Sequence, residues 1–491
     1  MRLVINPQFK LGEIPIKNVK IDLNSRDDIP PLLLGLQYIY TTPELNEKVF
    51  SILEQKINPD TDNNNGRPGM DLWKILVCGV LRLNLNWDYD HLTEMINQHK
   101  TIRELLGHSA FLDEPDYKLQ TVKDNVPLLT ADILDEINTV VVQAGHDFFH
   151  KNEDEKLRGR CDSFVLETNV HYPTDINLLY DAMRKVISTI AALCLLCGLT
   201  DWRQSINNIK TIKRLFREAQ QVKRSTSKNE DKKAERWKLI QDKHQEYLDK
   251  SNAFLERVRL TLPKIHGGGL TVIPLIFELE KYMEHAARQI DQIERRVLKG
   301  EVIPHNEKVF SIFQEHTEWI SKGKAGVPVE LGLKVCILED QHGFILHHRV
   351  MQFETDDKVA VSMVQAAQSK FPRLNACSFD KGFHSPANQK ELLEYLDAVI
   401  LPKKGKLSKK DKEREHSPDF IKARHQHSAV ESAINALEVH GLDRCPDHGI
   451  EGFKRYTALA VLARNIQLLG VKLRQKQLAL LKQEEKLRKA A

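Results

Sequence analysis

The chain of 491 residues has few cysteines, few aromatic residues and no long hydrophobic run. Seven cysteines are an odd and sparse number for this length, which argues against a disulfide framework and favours a reducing compartment. The longest apolar stretch, Val186 to Leu199, includes Ser188 and Thr189. It is shorter than the roughly 20 residues that a membrane-spanning helix needs. We therefore expect a buried helix there and no membrane partner.

The sequence also lacks the usual features of export signals and of zinc-binding motifs. The first residues lack a basic start followed by an apolar run, so we expect a cytoplasmic protein without a signal or transit peptide. Cys194 and Cys197 form a C-x-x-C inside an apolar sequence, which favours core thiols. Cys445 and His448 lack two further ligands nearby, so a zinc site is not predicted there either.

What the sequence does contain is typical of a globular protein with two or three domains. It is 41% hydrophobic and 29% charged, and 72 Lys and Arg stand against 68 Asp and Glu, a net charge of +4. A usual domain size of about 150 residues gives the domain number. Each such domain is large enough to bury its own core.

Hydrophobic periodicity divides the chain into four regions. Residues 1–150 show helical patterns broken by turn signals, which predicts an all-α N-terminal domain. Two helices joined by a short turn suit DNA binding, and we assign this domain to DNA binding or dimerisation, although most such helix pairs are ordinary scaffold. Residues 155–180 and 301–475 alternate short β-rich runs with helices, which predicts an α/β domain. Residues 181–300 are helical throughout and form a predicted insertion, and residues 476–491 form a basic C-terminal helix or tail.

Positive charge is concentrated in three segments. Arg203 to Lys250 carries 14 Lys and Arg against 7 Asp and Glu, and Arg464 to Lys489 carries 8 against 2. The lysine-rich stretch at 403–415 has the pattern of a mobile basic loop. Such segments fit a polyanionic partner better than the total charge suggests. For the first segment, a solvated helix face and a phosphate-contacting arm both remain open.

Three acids occupy positions from which carboxylates could meet. Asp162 lies in the first predicted strand, Asp380 follows the strand LNACSF directly, and Glu431 lies in a predicted helix from Arg424 to Val439. Two divalent ions roughly 3.5 to 4 Å apart can activate an attacking oxygen and stabilise the leaving oxygen of a phosphodiester. Mg²⁺ prefers carboxylate oxygens for this purpose. With 68 acids in the chain, spacing alone does not separate this reading from ordinary caps and surface charges.

The helix that carries Glu431 has two distinct faces. Val430, Ile434 and Leu437 recur at helical spacing and predict a buried stripe. Arg424, His427 and Glu431 share an adjacent face.

The sequence around the three acids resembles bacterial insertion-sequence DDE transposases of the ISNCY-like, DDE-transposase-1 type. The similar blocks occur in the family's order and cover both ends of the chain and the α/β region. They are GRPGMDLWKIL at 66–76, DSFVLETNVHYPTDINLL at 162–179, KGKAGVPVELG at 322–332, FDKGFHSPANQKELLE at 379–394, RHQHSAVESAINALEVHGLDRC at 424–445 and GFKRYTALAVLARNIQLLG at 452–470. Mainly the 181–300 insertion is not covered.

This resemblance implies an RNase H-like catalytic core that cleaves transposon ends and joins them to target DNA. It implies that Asp162, Asp380 and Glu431 hold two Mg²⁺ ions, with Mn²⁺ as a substitute. Its partners would be double-stranded DNA, both transposon ends and target, and a second copy of the chain in the DNA complex. A bacterial cytoplasmic, nucleoid-associated location follows.

The resemblance also indicates DNA-contacting residues, with one departure from the family pattern. That pattern would place Arg at 427 and Lys at 438, where this chain has His427 and Glu438. The predicted phosphate contacts are Arg424, His427, Lys381, His384 and Lys404.

Flanking residues of the first block have weaker roles. Glu167 and Asn169 are predicted to support the site or contact DNA, and Asp175 is predicted to cap the helix that begins at Ile176. Two other functions stay open: a catalytically inactive DNA-binding protein derived from a transposase, and a metal-dependent nuclease without strand transfer.

Overall fold

The computed structural model describes residues 3–6, 8, 10–57, 69–109, 111–112, 114–149, 155–265, 269–321 and 328–490. Parts of two sequence blocks, residues 66–68 and 322–327, lie outside these ranges. The chain forms two compact units, one made of residues 1–169 and 320–491 and the other of residues 170–319.

The protein is mixed α/β and mostly helical. Its helices are α1 (Ile29–Thr41), α2 (Pro43–Ile57), α3 (Leu72–Asn84), α4 (Tyr89–Gln98), α5 (Lys100–Leu105), α6 (Leu119–Asn125), α7 (Ala131–Phe149), α8 (Asp175–Leu196), α9 (Ser205–Gln221), α10 (Glu230–Thr261), α11 (Val272–Ile293), α12 (Asp356–Lys370), α13 (Pro386–Tyr395), α14 (Lys409–Glu415), α15 (Pro418–His427), α16 (Ala429–Leu437) and α17 (Gly449–Ala490). Its strands are β1 (Leu157–Thr168), β2 (Glu318–Ser321), β3 (Val329–Glu339), β4 (Ile345–Met351), β5 (Leu374–Phe379), β6 (Ala398–Ile400) and β7 (Arg444–Cys445).

The seven strands form one mixed sheet in the order β2-β3-β1-β5-β6, with β4 paired to β3 and β7 paired to β1. The central strand β1 runs antiparallel to β3 and parallel to β5 and β7. Parallel neighbours end at the same edge of a sheet, so the carboxyl end of β5 lies beside the middle of the longer β1. This edge positions the acids described below.

The helices of residues 29–149 and the sheet share one hydrophobic core. In α3 all but one residue is buried, which fits a helix that is apolar on nearly all sides. The long helix α17 packs against α1, α3 and α7. The predicted helical character of the first 150 residues is confirmed for the described part of that region.

Close packing of α1 on α17 depends on two glycines. A Cβ at Gly470 would lie 1.7 Å from the carbonyl oxygen of Pro31, and one at Gly35 would lie 2.3 Å from that of Ile466. Both contacts are with backbone, which cannot swing aside as a side chain can. The two helices approach this closely only because glycine occupies both positions.

Serine caps begin the short helices around the acids. Ser385 accepts a hydrogen bond from the backbone N–H of Asn388 at the start of α13, and Ser417 accepts one from Phe420 at the start of α15. Proline follows each serine, at a position where its missing N–H costs nothing.

Two local predictions for this region need correction. The lysine-rich stretch contains a helix, α14, which Ser408 caps with a reciprocal hydrogen-bond pair to Asp411. The helix predicted from Arg424 to Val439 is divided at Ser428 into α15 and α16. A π-helical turn with Gly441 at φ 111° ends the second part.

The second unit, residues 170–319, is a helical bundle of α8 to α11 with its own hydrophobic core. The apolar run predicted from Val186 to Leu199 is only partly a buried helix: Val186 and Cys194 are buried in α8, but Leu195 and Leu196 at its end are exposed. Thr174, and not Asp175, caps α8, because its hydroxyl accepts from the backbone N–H of Asn177. Asp175 instead forms an ion pair of 2.7 Å with Arg296. In the part of the chain that the structure describes, no helix is long and apolar enough to cross a membrane.

Candidate active site

Asp162 and Asp380 lie level on neighbouring parallel strands. Cys161 of β1 pairs with Phe379 of β5, and each acid follows directly in its strand direction. Neighbouring strands run about 4.8 Å apart, and successive side chains alternate between the faces of a sheet. Since Cys161 and Phe379 are buried on one face, both acids are directed to the other.

Glu431 reaches the same face from a helix. It lies in the first turn of α16, which packs on β1 through the buried side chains of Val430, Ile434 and Leu437. The predicted stripe is therefore confirmed. Glu431 itself is exposed, so its carboxylate stays accessible beside the strand.

The carboxylates act on one another electrostatically. Burial, together with the negative charges of Asp380, Asp356 and Glu431, raises the pKa of Asp162 to about 6, and a hydrogen bond from the Ser163 N–H opposes this shift. Like charges at short range disfavour ionisation of a carboxyl group. The three acids predicted from the sequence are thus brought into one neighbourhood, together with a fourth.

The donor set suits a hard divalent cation, since Mg²⁺ prefers carboxylate oxygens. The repulsion felt by Asp162 is of the kind that a cation relieves. In the described part of the chain, however, no three His, Cys, Asp or Glu side chains are grouped closely enough to hold a metal ion. The acids share an edge of the sheet but do not form a complete metal-binding site by themselves.

Asp356, the fourth acid, is held on the opposite side of β1. Its carboxylate accepts a hydrogen bond of 2.7 Å from the Ser163 hydroxyl and one of 2.8 Å from the Lys334 ammonium. A Cβ at Gly382, in the turn after Asp380, would lie 3.1 Å from an Asp356 oxygen. Asp356, at the start of α12, therefore contacts Ser163 beside Asp162, Lys334 of β3, and the turn at Gly382 that follows Asp380.

His427 lies between strand β5 and the acids. Its Nδ1 is 3.0 Å from the hydroxyl of Ser378, which is buried two residues before Asp380. Burial lowers the pKa of His427, while the charges of Asp380 and Glu431 oppose that shift. The predicted face shared by His427 and Glu431 is thus supported by their electrostatic contact, despite the helix break at Ser428.

The other predicted DNA-contacting residues differ in how far their side chains are exposed to solvent. Lys381 follows Asp380 and is exposed, and Arg424 is exposed one turn before His427. His384 is half-buried, and burial, with the nearby Arg414 and Lys403, lowers its pKa. Lys404 is exposed in the connection before α14.

The flanking residues of the first block make contacts beyond the acids. Glu167 accepts a hydrogen bond of 2.9 Å from Arg444, which ties the end of β1 to β7. The backbone N–H of Asn169 donates to the carbonyl of Cys445. Both residues therefore anchor β7, the short strand that leads into α17.

Sequence reasoning missed Asp356, Lys334 and Ser163. Thr355 is the N-cap of α12 and Asp356 is its first residue, where acids are common, and Lys334 lies within a strand. A strand-to-helix junction rich in acids was the available signal. Only the pairing of β3 with β1 brings the lysine and the acid together.

Comparisons with protein-family models, with curated proteins and with solved structures found no match for this chain.

Proposed function

We propose that this protein is a DDE transposase whose α/β region is an RNase H-like catalytic core. It would cleave transposon ends by attack of water and join the new 3′-hydroxyl to target DNA by transesterification. The proposal rests on the residues of the sequence blocks and on where the fold brings them.

One observation carries the proposal. Asp162 in the middle of β1 lies level with Asp380 at the end of its parallel neighbour β5, and the helix of Glu431 packs on β1. The acids come from residues far apart in the chain, yet they face one edge of one sheet. Asp380 and Glu431 are exposed at this edge, where bound cations would offset the repulsion between the carboxylates and a long, anionic substrate that cannot enter a closed cavity.

Asp162, Asp380 and Glu431 would hold two Mg²⁺ ions, which when bound activate the attacking oxygen and neutralise charge on the phosphodiester. The chain's own contribution is to position the three carboxylates and to restrain the strand that carries Asp162. Asp356, through Ser163 and Lys334, restrains the strand that carries Asp162. A rigid arrangement of this kind lowers the barrier because the reacting groups need not be ordered during reaction.

We expect cations around this edge to contact the DNA backbone. Lys381, Arg424 and Lys404 are exposed and could reach phosphate oxygens, while His384 is half-buried and His427 is close enough to Asp380 and Glu431 to feel their charges. Such contacts position a strand without reading its sequence. Because the reaction pairs two transposon ends, we expect two copies of the chain in the DNA complex.

The test uses purified full-length protein and a labelled duplex with the DNA ends that flank its own coding sequence. Incubation with Mg²⁺ or Mn²⁺ should nick the duplex at the element boundary and yield joined products, and EDTA should abolish both. Asp380→Asn and Glu431→Gln should abolish cleavage while they leave duplex binding intact. Asp419→Asn, which removes an exposed acid on α15, is the matched control and should cleave as the wild type does.

The other outcomes identify different functions. Tight binding without cleavage in either metal would contradict catalysis and leave a DNA-binding protein. Cleavage without any joined product would identify a nuclease that uses the same carboxylates. Cleavage that survives Asp380→Asn would exclude this site.

A further inference from the structure

The helical unit of residues 170–319 contains a basic cavity that the proposed reaction does not use. It has a volume of about 320 Å³ and is lined by Arg224, Ser225, Lys233, Trp237 and Ile240. We call it the Trp237 pocket. None of these five lining residues is acidic, so the pocket offers two cations, a hydroxyl and an indole ring to a ligand.

The pocket exists because two helices differ in length. Lys233, Trp237 and Ile240 lie at helical spacing on one face of α10, the face that continues into the buried residues His244 and Tyr247. Helix α9 ends at Gln221, and the first turns of this face contact the connection of residues 222–229, as Arg236 does at Lys223 and Trp237 at Arg224. The N-terminal end of this apolar stripe therefore lines a cavity that is only partly covered.

The connection is held in place by specific contacts. The Arg236 guanidinium donates a hydrogen bond of 2.9 Å to the carbonyl of Lys223. Next along the chain, the Arg224 guanidinium lies over the Trp237 ring, 5.0 Å from its centroid. Cation–π stacking of this kind orders an arginine whose N–H groups stay available to an anion. The pocket is thus largely formed before a ligand arrives.

Charge around the pocket favours a polyanion over a small anion. The surrounding segment, Arg203 to Lys250, carries twice as many basic as acidic residues, 14 against 7. The Glu218 carboxylate is already paired with Lys243 and Arg214. Lys233 pairs only with the exposed Glu230, and exposed pairs of this type contribute little and exchange readily.

We propose that the Trp237 pocket binds one unstacked nucleotide of single-stranded DNA, with the base against Trp237 and the phosphate between Arg224 and Lys233. A base can enter a concave site only when it has left the duplex stack, which is why a single strand is the ligand. This inference rests on the proposed function, which makes DNA the polyanion and generates free strand ends.

The experiment measures binding of full-length protein to an oligothymidylate of about twelve nucleotides, within the site sizes typical of single-strand binders. Binding should quench tryptophan fluorescence in the wild type, and Trp237→Phe should remove most of the change. Trp237→Ala should weaken binding about tenfold, because loss of a stacked base has effects of this order. Arg224→Ala with Lys233→Ala should weaken binding and flatten its salt dependence. Lys232→Ala with Lys238→Ala removes the same charge outside the pocket and should retain the quenching.

Three results would overturn the inference. The first is unchanged oligothymidylate binding in Trp237→Ala and in the Arg224/Lys233 variant. The second is equal Trp237-dependent quenching by a duplex. The third is equal quenching by thymidine monophosphate at the same concentration, which would identify a small-molecule site. If an alanine variant unfolds, Trp237→Phe and Arg224→Gln keep the packing and carry the test.

The proposed function is scored separately on the same preparations. Pocket variants keep Asp162, Asp380 and Glu431, so they should still cleave a saturating duplex in Mg²⁺. Wild-type protein that quenches with oligothymidylate but never cleaves would refute the transposase and retain the pocket. Protein that cleaves but shows no Trp237-dependent quenching would support the transposase and refute nucleotide binding in the Trp237 pocket.

Discussion

At the residue scale, Asp356 shows how an acid outside the predicted triplet can govern the site. Its side chain is mostly shielded from solvent and accepts hydrogen bonds from both Ser163 and Lys334. Ser163 also follows Asp162 and donates its backbone N–H to that carboxylate. One side chain therefore links the strand that carries Asp162 to the neighbouring strand β3.

We predict that Asp356→Asn slows Mg²⁺-dependent DNA cleavage more than it weakens DNA binding. The amide loses the charge that pairs with Lys334, so β1 and β3 are less well restrained next to Asp162. Loss of a charged hydrogen bond of this kind should lower the free energy of unfolding by about 1 to 3 kcal/mol. Cleavage rates, duplex affinity and urea unfolding measure the three effects.

The matched control is Asp357→Asn at the next position. Equal slowing in both variants would mean that the negative charge at the start of α12, and not the contacts of Asp356, is what matters.

At the scale of elements, the contact of α1 with α17 is limited by backbone atoms. Gly470 lies against the Pro31 carbonyl, and any Cβ there would overlap it. We predict that Gly470→Ala separates the helices and lowers the free energy of unfolding by at least 1 to 3 kcal/mol, the usual cost of overpacking. Urea unfolding followed by circular dichroism measures the change.

Gly452→Ala, in the same helix, is the control. A Cβ there meets its nearest neighbour at an ordinary 3.4 Å, so alanine should be neutral or slightly stabilising through its higher helix propensity. Similar losses in both variants would show that close approach is not the reason for Gly470.

Strand β4 contains two adjacent histidines, His347 and His348, that should make the stability of the fold depend on pH. Burial, together with the positive charge of Lys370, lowers the pKa of His348 to about 4 and that of His347 to about 3, while the negative charge of Asp135 opposes both shifts. Asp135 and Lys370, from α7 and α12, form an ion pair with each other. Below pH 6.5 the unfolded chain binds protons at these histidines that the folded chain does not.

Stability should therefore fall as pH drops from 6.5 towards 4, since the unfolded state takes up more protons in that range. His348→Asn should make the free energy of unfolding less dependent on pH between 6.5 and 4. Urea titrations at several pH values measure this slope. His425→Asn, at an exposed position on α15, should leave the slope as in the wild type.

At the scale of the whole molecule, charge is distributed unevenly between segments. The net charge is only +4, yet the residues from Arg464 to Lys489 carry 8 basic against 2 acidic side chains. Some of these are used internally, as when Arg474 donates to the carbonyls of Leu23 and Ser25. The last turns of α17, from residue 479 to 488, are exposed and available to a partner.

We predict that duplex affinity falls steeply with salt despite the near-neutral total. A protein that neutralises several phosphates loses affinity by orders of magnitude between about 50 and 200 mM salt. Lys482→Gln with Lys486→Gln should reduce the slope of log affinity against log salt concentration. A flat salt dependence in the wild type would contradict phosphate contacts as the main source of binding.

Much of the architecture could be read from local patterns. The short β-rich runs RGRCDSFVLETNV, LGLKVCILED, GFILHHRVMQF, LNACSFD and DAVILPK contain β1, β3, β4, β5 and β6 in that order. The buried stripe beside Glu431 is confirmed. The short strands β2 and β7 escaped prediction, because four and two residues leave no measurable period. The break at Ser428 escaped for a related reason: no proline or glycine marks it.

The sequence by itself determined the type of most elements and singled out Asp162, Asp380 and Glu431 as candidate site residues, because periodicity and motif order are local properties. Only the tertiary structure decided which residues join them. Pairing of β1 with β3 and β5 sets a register that brings Lys334, Ser163 and Asp356 together across almost 200 positions of the chain. The Trp237 pocket likewise depends on the unequal lengths of two packed helices. Such contacts depend on how distant segments share a core, a property that no local stretch of sequence encodes.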